Sequence, residues 1–361
     1  MSKTDLAIVR AGLVTSVGLS APASCAAFRS KISNPSETRF IDSGGQWIMA
    51  HQVELEQPWR GLTKLAKMAA MAIDEAMQAA SATWPRARWR QLPLLLCVAE
   101  KDRPGRTEGL DDRLLPMIAA ELGVTFAEDS VVVAHGRAGV GVALVAARGL
   151  VGEGRAEGVL IAATDSLLSW PTLGHYEREG RLLSEGNSNG FIPGEGAGAL
   201  LVSAAGASGA DRSGAAAGFV CNGVGFAQEP ATIQSEEPLR AEGLRQAIVA
   251  ALGEAGLAMH DIDYRVTDLS GEHYYFKEAA LALSRTLRQR KEEFDLWHPA
   301  ECTGEAGAAA GINVIALAQA AAAKGYAKGP RVMAHWANDG GQRCAAVFEQ
   351  RTAAHAAGVR A

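Results

Sequence analysis

The chain has 361 residues, 48% of them hydrophobic, enough to bury the core of two ordinary domains or one large duplicated one, which excludes a disordered chain. Forty glycines beside 6% aromatics point to helices packed closely on sheets, and a net charge of −5 with no basic stripe excludes nucleic acid as an expected partner. No apolar run approaches the length of a bilayer span, and five cysteines scattered singly without a CxxC pair indicate neither a disulfide framework nor a zinc knuckle.

The N-terminal stretch LAIVRAGLV is broken by Arg10 and reads as a first strand rather than a signal peptide, so the cytoplasm is the expected compartment. A helical run, GLTKLAKMAAMAIDEAMQAA, follows, then the strands PLLLCVAE and VVVA, a helix, and the strands EGVLIAATD and GAGALLVSA. This alternation predicts an α/β protein with a largely buried sheet. The small, aperiodic stretch at 205–217 is a linker candidate, dividing the chain into 1–204 and 218–361. Beyond it the plan repeats: AGFVCNGVGFA, a helix from PLRAEGLRQAIVAALGEAG, YRVTDLSG, a helix through FKEAALALSRTLRQR, and TGEAGAAAGINVIALAQAAAAKG before the strand GPRVMAHWAND. Gly136-Arg137-Ala138-Gly139, opening one helix, pairs in this reading with Gly304-Glu305-Ala306-Gly307, opening another.

The strand-turn-helix VVVAHGRAGVGVAL has the form of a nucleophile elbow, where uncapped N–H groups and the helix dipole favour a reactive anion. The segment NGFIPGEGAGALLV, from Asn189 to Val202, resembles the GF-x-x-GEGAGAL-V strand of β-ketoacyl synthases. VRAGLVTSVGLSAPASCAAFRSKIS is similar to that family's opening strand and first helix, IAATDSL to its AGG-x-(D/E)-S strand, and GEAGAAAG to its GH-x-x-AAG helix start. The resemblance covers nearly the whole chain. It implies the thiolase fold, five αβαβα layers built from two duplicated βαβαβ halves.

The family's chemistry needs an elbow Cys, two His and a Lys before the second His. At the elbow stand His135, Gly136 and Arg137; spacing and the internal pairing favour Arg137 as the replacement, and the family's glycine pattern favours Gly136. Asp268 best matches the first His, Glu305 the second and about Ala300 the Lys. Asn338-Asp339-Gly340-Gly341 resembles the Gly-Phe-Gly-Gly loop with its aromatic replaced by Asp339. The resemblance therefore implies a vacated catalytic set, with Arg137 facing Asp268 and Glu305 as a buried ion cluster.

A sharper alternative groups His135 with Asp268 and Glu305 for metal binding or acid–base hydrolysis, but it requires His135 to point inward. The other histidines show no metal-ligand spacing, and no metal or cofactor is expected. The aromatic cluster HYYF at 273–276 plugs the former acyl channel or forms an interface, and Cys302 reads as a small buried residue rather than a relocated nucleophile.

Two function classes follow. One is a catalytically inactive ketosynthase-like scaffold or chaperone. Its narrower form resembles ketosynthase-like proteins of type VI secretion effector clusters, with a PAAR-type effector or adaptor as protein partner. The other is an acyl-CoA- or acyl-carrier-protein-dependent acyltransferase or hydrolase. The fold also implies a homodimer or heteromer through an edge strand.

Overall fold

The computed structural model describes residues 4–206 and 218–352. The first half begins with β1 (Leu6–Val14) and α1 (Ala21–Ser30), whose first turn is capped by the Ser20 hydroxyl accepting from the Ala23 N–H. A hairpin of β2 (Ser36–Ile41) and β3 (Trp47–Ala50), absent from the sequence reading, precedes α2 (Gly61–Gln78). There follow β4 (Leu94–Val98), α3 (Leu114–Leu122), β5 (Val131–Ala134), α4 (Gly139–Gly152), β6 (Gly158–Ser166), α5 (Trp170–Arg178) and β7 (Glu195–Ala204). The second half contains β8 (Gly218–Gln228), α6 (Glu242–Ala255), β9 (Tyr264–Thr267), α7 (His273–Thr286), β10 (Leu296–Trp297), the single turn α8 (Ala300–Thr303), α9 (Ala310–Ala323), β11 (Arg331–Ala337) and β12 (Gln342–Arg351). The expected linker at 205–217 lies, from residue 207 onward, outside the described residues.

Duplication is visible in the strand order. The first half runs β5-β4-β6-β7-β1 and the second β10-β9-β11-β12-β8. Counted along the chain within each half, both place the third strand at the outer edge and the first strand at the inner one. In both, the last strand is antiparallel to its two neighbours while the others run parallel. The halves meet through a short antiparallel contact of β1 with β8, Leu6 opposite Cys221 and Ala7 opposite Val220.

Side-chain alternation sorts the layers. Along β6, Val159, Ile161 and Ala163 face the central helices α4 and α9, whereas Leu160 and Ala162 face α2 and α3. Burial on both faces explains why these strands read as continuous apolar runs. In the second half Met333, Ala345 and Val347 face α6 and α7, while Ala334, Cys344 and Ala346 face the central layer. The layers α2/α3, sheet, α4/α9, sheet, α6/α7 are the thiolase fold. Helix α9 is buried nearly all round, as the central layer of such a stack demands. Close approach also repeats: a Cβ on Gly12 of β1 would lie 2.0 Å from the Ala72 carbonyl of α2, and one on Gly225 of β8 would lie 2.1 Å from the Ala247 carbonyl of α6.

Candidate functional site

The site forms where the N-termini of the two central helices meet. After β5, His135 leaves the strand, Gly136 takes φ +50°, and a 3₁₀ turn through Ala138 leads into α4. The second half repeats this with Ala306, Gly307 at φ +56° and a 3₁₀ turn into α9. Gly136 therefore corresponds to Gly307, three residues later than the expected pairing of GRAG with GEAG. The reason is that Gly304 and Glu305 precede the turn, which Ala306 opens. Glu305 belongs to an extended piece bonded to the loop before β7, donating its N–H to the Ile192 carbonyl at 2.9 Å and accepting from the Gly194 N–H at 2.8 Å.

Arg137 projects from the first elbow into a polar interior that meets solvent at Asp339, whose side chain is 25% exposed. Its guanidinium donates to Glu305 Oε2 at 2.9 Å, to Asp339 Oδ1 at 2.8 Å and to the Tyr275 hydroxyl at 3.0 Å. Asp268 Oδ2 lies 3.8 Å from its Nε, and its guanidinium carbon sits 4.8 Å from the Tyr275 ring centre. Arg181, just after α5, grips Glu272 with two parallel hydrogen bonds of 2.7 and 2.8 Å and reaches Asp339 Oδ2 at 2.6 Å. Arg103 donates to Asp165 Oδ2 at 2.6 Å, and Asp165 in turn accepts the Ala308 N–H at the second elbow. Bidentate, charge-assisted geometry of this kind fixes both partners. The side chains of Glu100, Arg103, Arg137, Tyr176, Arg181, Glu305 and Asp339 leave a cavity of about 20 Å³, room for one water.

The electrostatics of this interior are uneven. Burial pushes the Glu305 carboxyl up to about 7 against the pull of Arg137, and the neighbouring Asp268 adds to the rise. Burial also raises Asp268 and Glu100. Asp339 is pushed upward by burial too, but Arg137 and Arg181 together outweigh it and hold its carboxyl well below the usual range. For Arg137, burial opposes the charge, yet Glu305, Tyr275, Asp339 and Asp268 keep it fully protonated. The cluster thus provides one carboxyl poised near neutrality and a buried fixed cation. It has no thiol: the five cysteines are buried elsewhere, and desolvation pushes Cys25 and Cys97 up to about 12 and Cys302 to about 11.

Of the residues singled out by sequence, Arg137, Asp268, Glu305 and Asp339 come together, and Gly136 forms the turn beneath them. His135 lies outside the cluster. Its Nδ1 is 3.5 Å from Gln342 Oε1, and its carbonyl accepts from Asn338 Nδ2 at 2.8 Å. The His135–Asp268–Glu305 grouping is therefore not formed, and among the described residues no three His, Cys, Asp or Glu are placed to hold a metal ion. Of the HYYF cluster, Tyr275 enters the site, its hydroxyl bonded to Asp339, while Tyr274 reaches the Ala231 carbonyl. Sequence reasoning missed Arg103, Arg181, Glu100, Glu272 and Tyr176. Asp165 carried a signal, in the quoted IAATDSL strand; the two arginines sit in loops and carried none.

No protein-family model and no curated protein matches the sequence. Solved structures do. A chain of the AntDE:AntF assembly, a type II PKS acyl-carrier protein in complex with its ketosynthase, superposes with a TM-score of 0.79 at 16% identity, covering 97% of this chain and 100% of that one. The ishigamide ketosynthase/chain length factor gives 0.77 at 18%, covering 97% and 100%. The ketosynthase ApeO in complex with its chain length factor ApeC, from Xenorhabdus doucetiae, gives 0.75 at 12%, covering 96% and 98%. At these identities the likeness establishes the fold.

Proposed function

We propose that this chain is a catalytically inactive, ketosynthase-like scaffold whose working contact is with another protein. The observation that carries this reading is the filled centre of the site. Arg137 and its carboxylates occupy the meeting point of the two helix N-termini, leaving about 20 Å³ where an acyl group would need hundreds. No cysteine lines that space, so no thioester can form there.

Protein partnering is supported by the company of the similar structures, in which ketosynthases stand with a chain length factor or an acyl-carrier protein. Strand β5 ends the first-half sheet, and Val131 on it is 49% exposed, so this edge can accept a copy of the chain or a different subunit. In its narrower form the partner is a PAAR-type type VI secretion effector, engaged with an adaptor in the cytoplasm. The support for that form is the sequence resemblance alone. No helix among the described residues is long and apolar enough to cross a membrane.

Co-expression with PAAR and adaptor proteins encoded beside the gene is expected to give a complex that survives size-exclusion chromatography. Intact-mass measurement after incubation with acyl-CoA is expected to show no acyl adduct. One observation favours rebuilt acyl chemistry instead: Glu305, with its carboxyl near 7, has the protonation balance of a general base. Acyl-CoA hydrolysis that disappears in Glu305→Ala would establish that reading and overturn the scaffold.

A further inference from the structure

We propose that Arg103, Arg137 and Arg181 with their surrounding carboxylates form a proton-tuned clasp between the two halves of the fold, closed while the surplus carboxylates carry protons and loosened as they lose them. This goes beyond the scaffold reading and stands whether or not a partner is found.

The charges are divided by half. All three arginines come from the first half, and Asp268, Glu272, Glu305 and Asp339 all come from the second. The ion pairs of Arg137 and Arg181 therefore cross the boundary. Arg103 acts from within the first half: it holds Asp165, which accepts the Ala308 N–H across the same boundary. With Glu100 at the rim, six carboxylates face three guanidiniums. Arg343 does not correct the imbalance, because it is already paired with Glu278 at 2.7 Å. Asp339, its side chain 25% exposed, and Glu100 meet solvent at the rim, but a space for one water cannot hydrate the buried Asp165, Asp268, Glu272 and Glu305, and unpaired charge in such an interior is costly. Protonation of part of the carboxylate set removes the excess without moving a side chain.

Glu305 is the group best placed to respond. Facing it are Arg137 from the elbow, Asp268 and the Ser270 hydroxyl from the segment after β9, and Asp339 from the β11–β12 turn; Tyr275 of α7 and the Arg103–Asp165 pair lie one residue further out. Burial raises its carboxyl to about 7. A carboxyl raised on folding adds stability that is full below its unfolded value, near 4.5, and is lost as pH climbs toward 7. Buried His51 and His335, pushed down by burial to about 4 and about 3, act with the opposite sign up to about 6.5. The effect of Glu305 is therefore read as a difference from Glu305→Gln.

The experiment is urea unfolding of the wild type and Glu305→Gln between pH 5 and 8.5, with amide hydrogen exchange of the wild type over the same range. The folding equilibrium of the wild type is expected to fall relative to Glu305→Gln by up to about tenfold per pH unit between pH 5 and 7, then level off. The amides of Gly307 and Ala337, which donate to Glu305 and Asp268, are expected to lose protection with rising pH while that of Ile161 in the core of β6 does not. A difference flat across pH 5–7, or Gly307 and Ala337 tracking Ile161, would overturn the clasp. If Glu305→Gln fails to fold, the wild-type exchange data decide alone. Failure of the scaffold reading appears separately, as acyl turnover.

Discussion

Replacing Arg137 by alanine is expected to lower the unfolding free energy by about 3–5 kcal/mol, the range for removing one partner of a buried ionic group. The side chain is only 10% exposed, so solvent screening offers little relief. Its loss strands Glu305 and Asp339 in an interior that was built around a cation, and it removes a guanidinium stacked on Tyr275. Glu305 can respond by holding its proton. Asp339 cannot do so as readily, because Arg181 still binds it at 2.6 Å and favours its ionised form. The double variant Arg137→Ala/Glu305→Gln should therefore lose less than the sum of the two single changes, which denaturant unfolding in a double-mutant cycle would measure. A loss within about 1 kcal/mol, the size of an exposed pair, would show that the cluster is not the buried structure described above.

That prediction depends on residues of unequal legibility. Asp268 and Glu305 could be picked out because the strand end and the GEAGAAAG helix start resemble ketosynthase motifs, and Arg137 because of its spacing from the IAATD strand and the pairing of GRAG with GEAG. Their mutual distance then follows from the duplicated fold, which brings the two helix starts together. Arg103 and Arg181 had no such pattern. They lie in loops before α3 and after α5, and only tertiary packing turns them inward, so their composition looked like that of any solvated loop. The misplaced pairing of GRAG with GEAG has a similar origin. Two glycines three residues apart, Gly304 and Gly307, both take positive φ, and in an Ala- and Gly-rich stretch the sequence alone does not say which one starts the helix. The β2–β3 hairpin was missed because SETRFI and WIMA are short and flanked by polar residues, a weak strand signal.

The two elbows should respond differently to a side chain, and this bears on whether a thiol placed at the first elbow could be acylated. A Cβ on Gly307 would come within 2.1 Å of Asp165 Oδ2, and that carboxylate cannot step aside: Arg103 holds it at 2.6 Å and the Ala308 N–H at 2.9 Å. Gly307→Ala is expected to cost about 2–5 kcal/mol, combining roughly 1–2 for left-handed backbone with about 1–3 for overpacking. A Cβ on Gly136 meets Glu100 Oε2 at the same 2.1 Å, but there the obstacle is the end of a flexible side chain at the rim. Gly136→Cys should therefore cost little beyond the backbone term, about 1–2 kcal/mol, and should fold. It should nevertheless fail to form a thioester with acyl-CoA. Arg137, Tyr275 and Glu305 fill the space the acyl chain would enter, leaving room for about one water. Intact mass spectrometry of Gly136→Cys after acyl-CoA treatment checks this directly. Stoichiometric acylation of the introduced thiol would mean that the centre opens far more easily than its packing allows. Unmodified protein that unfolds a few degrees early would place the obstacle in the packing of the arginine cluster, since a thiol is then present.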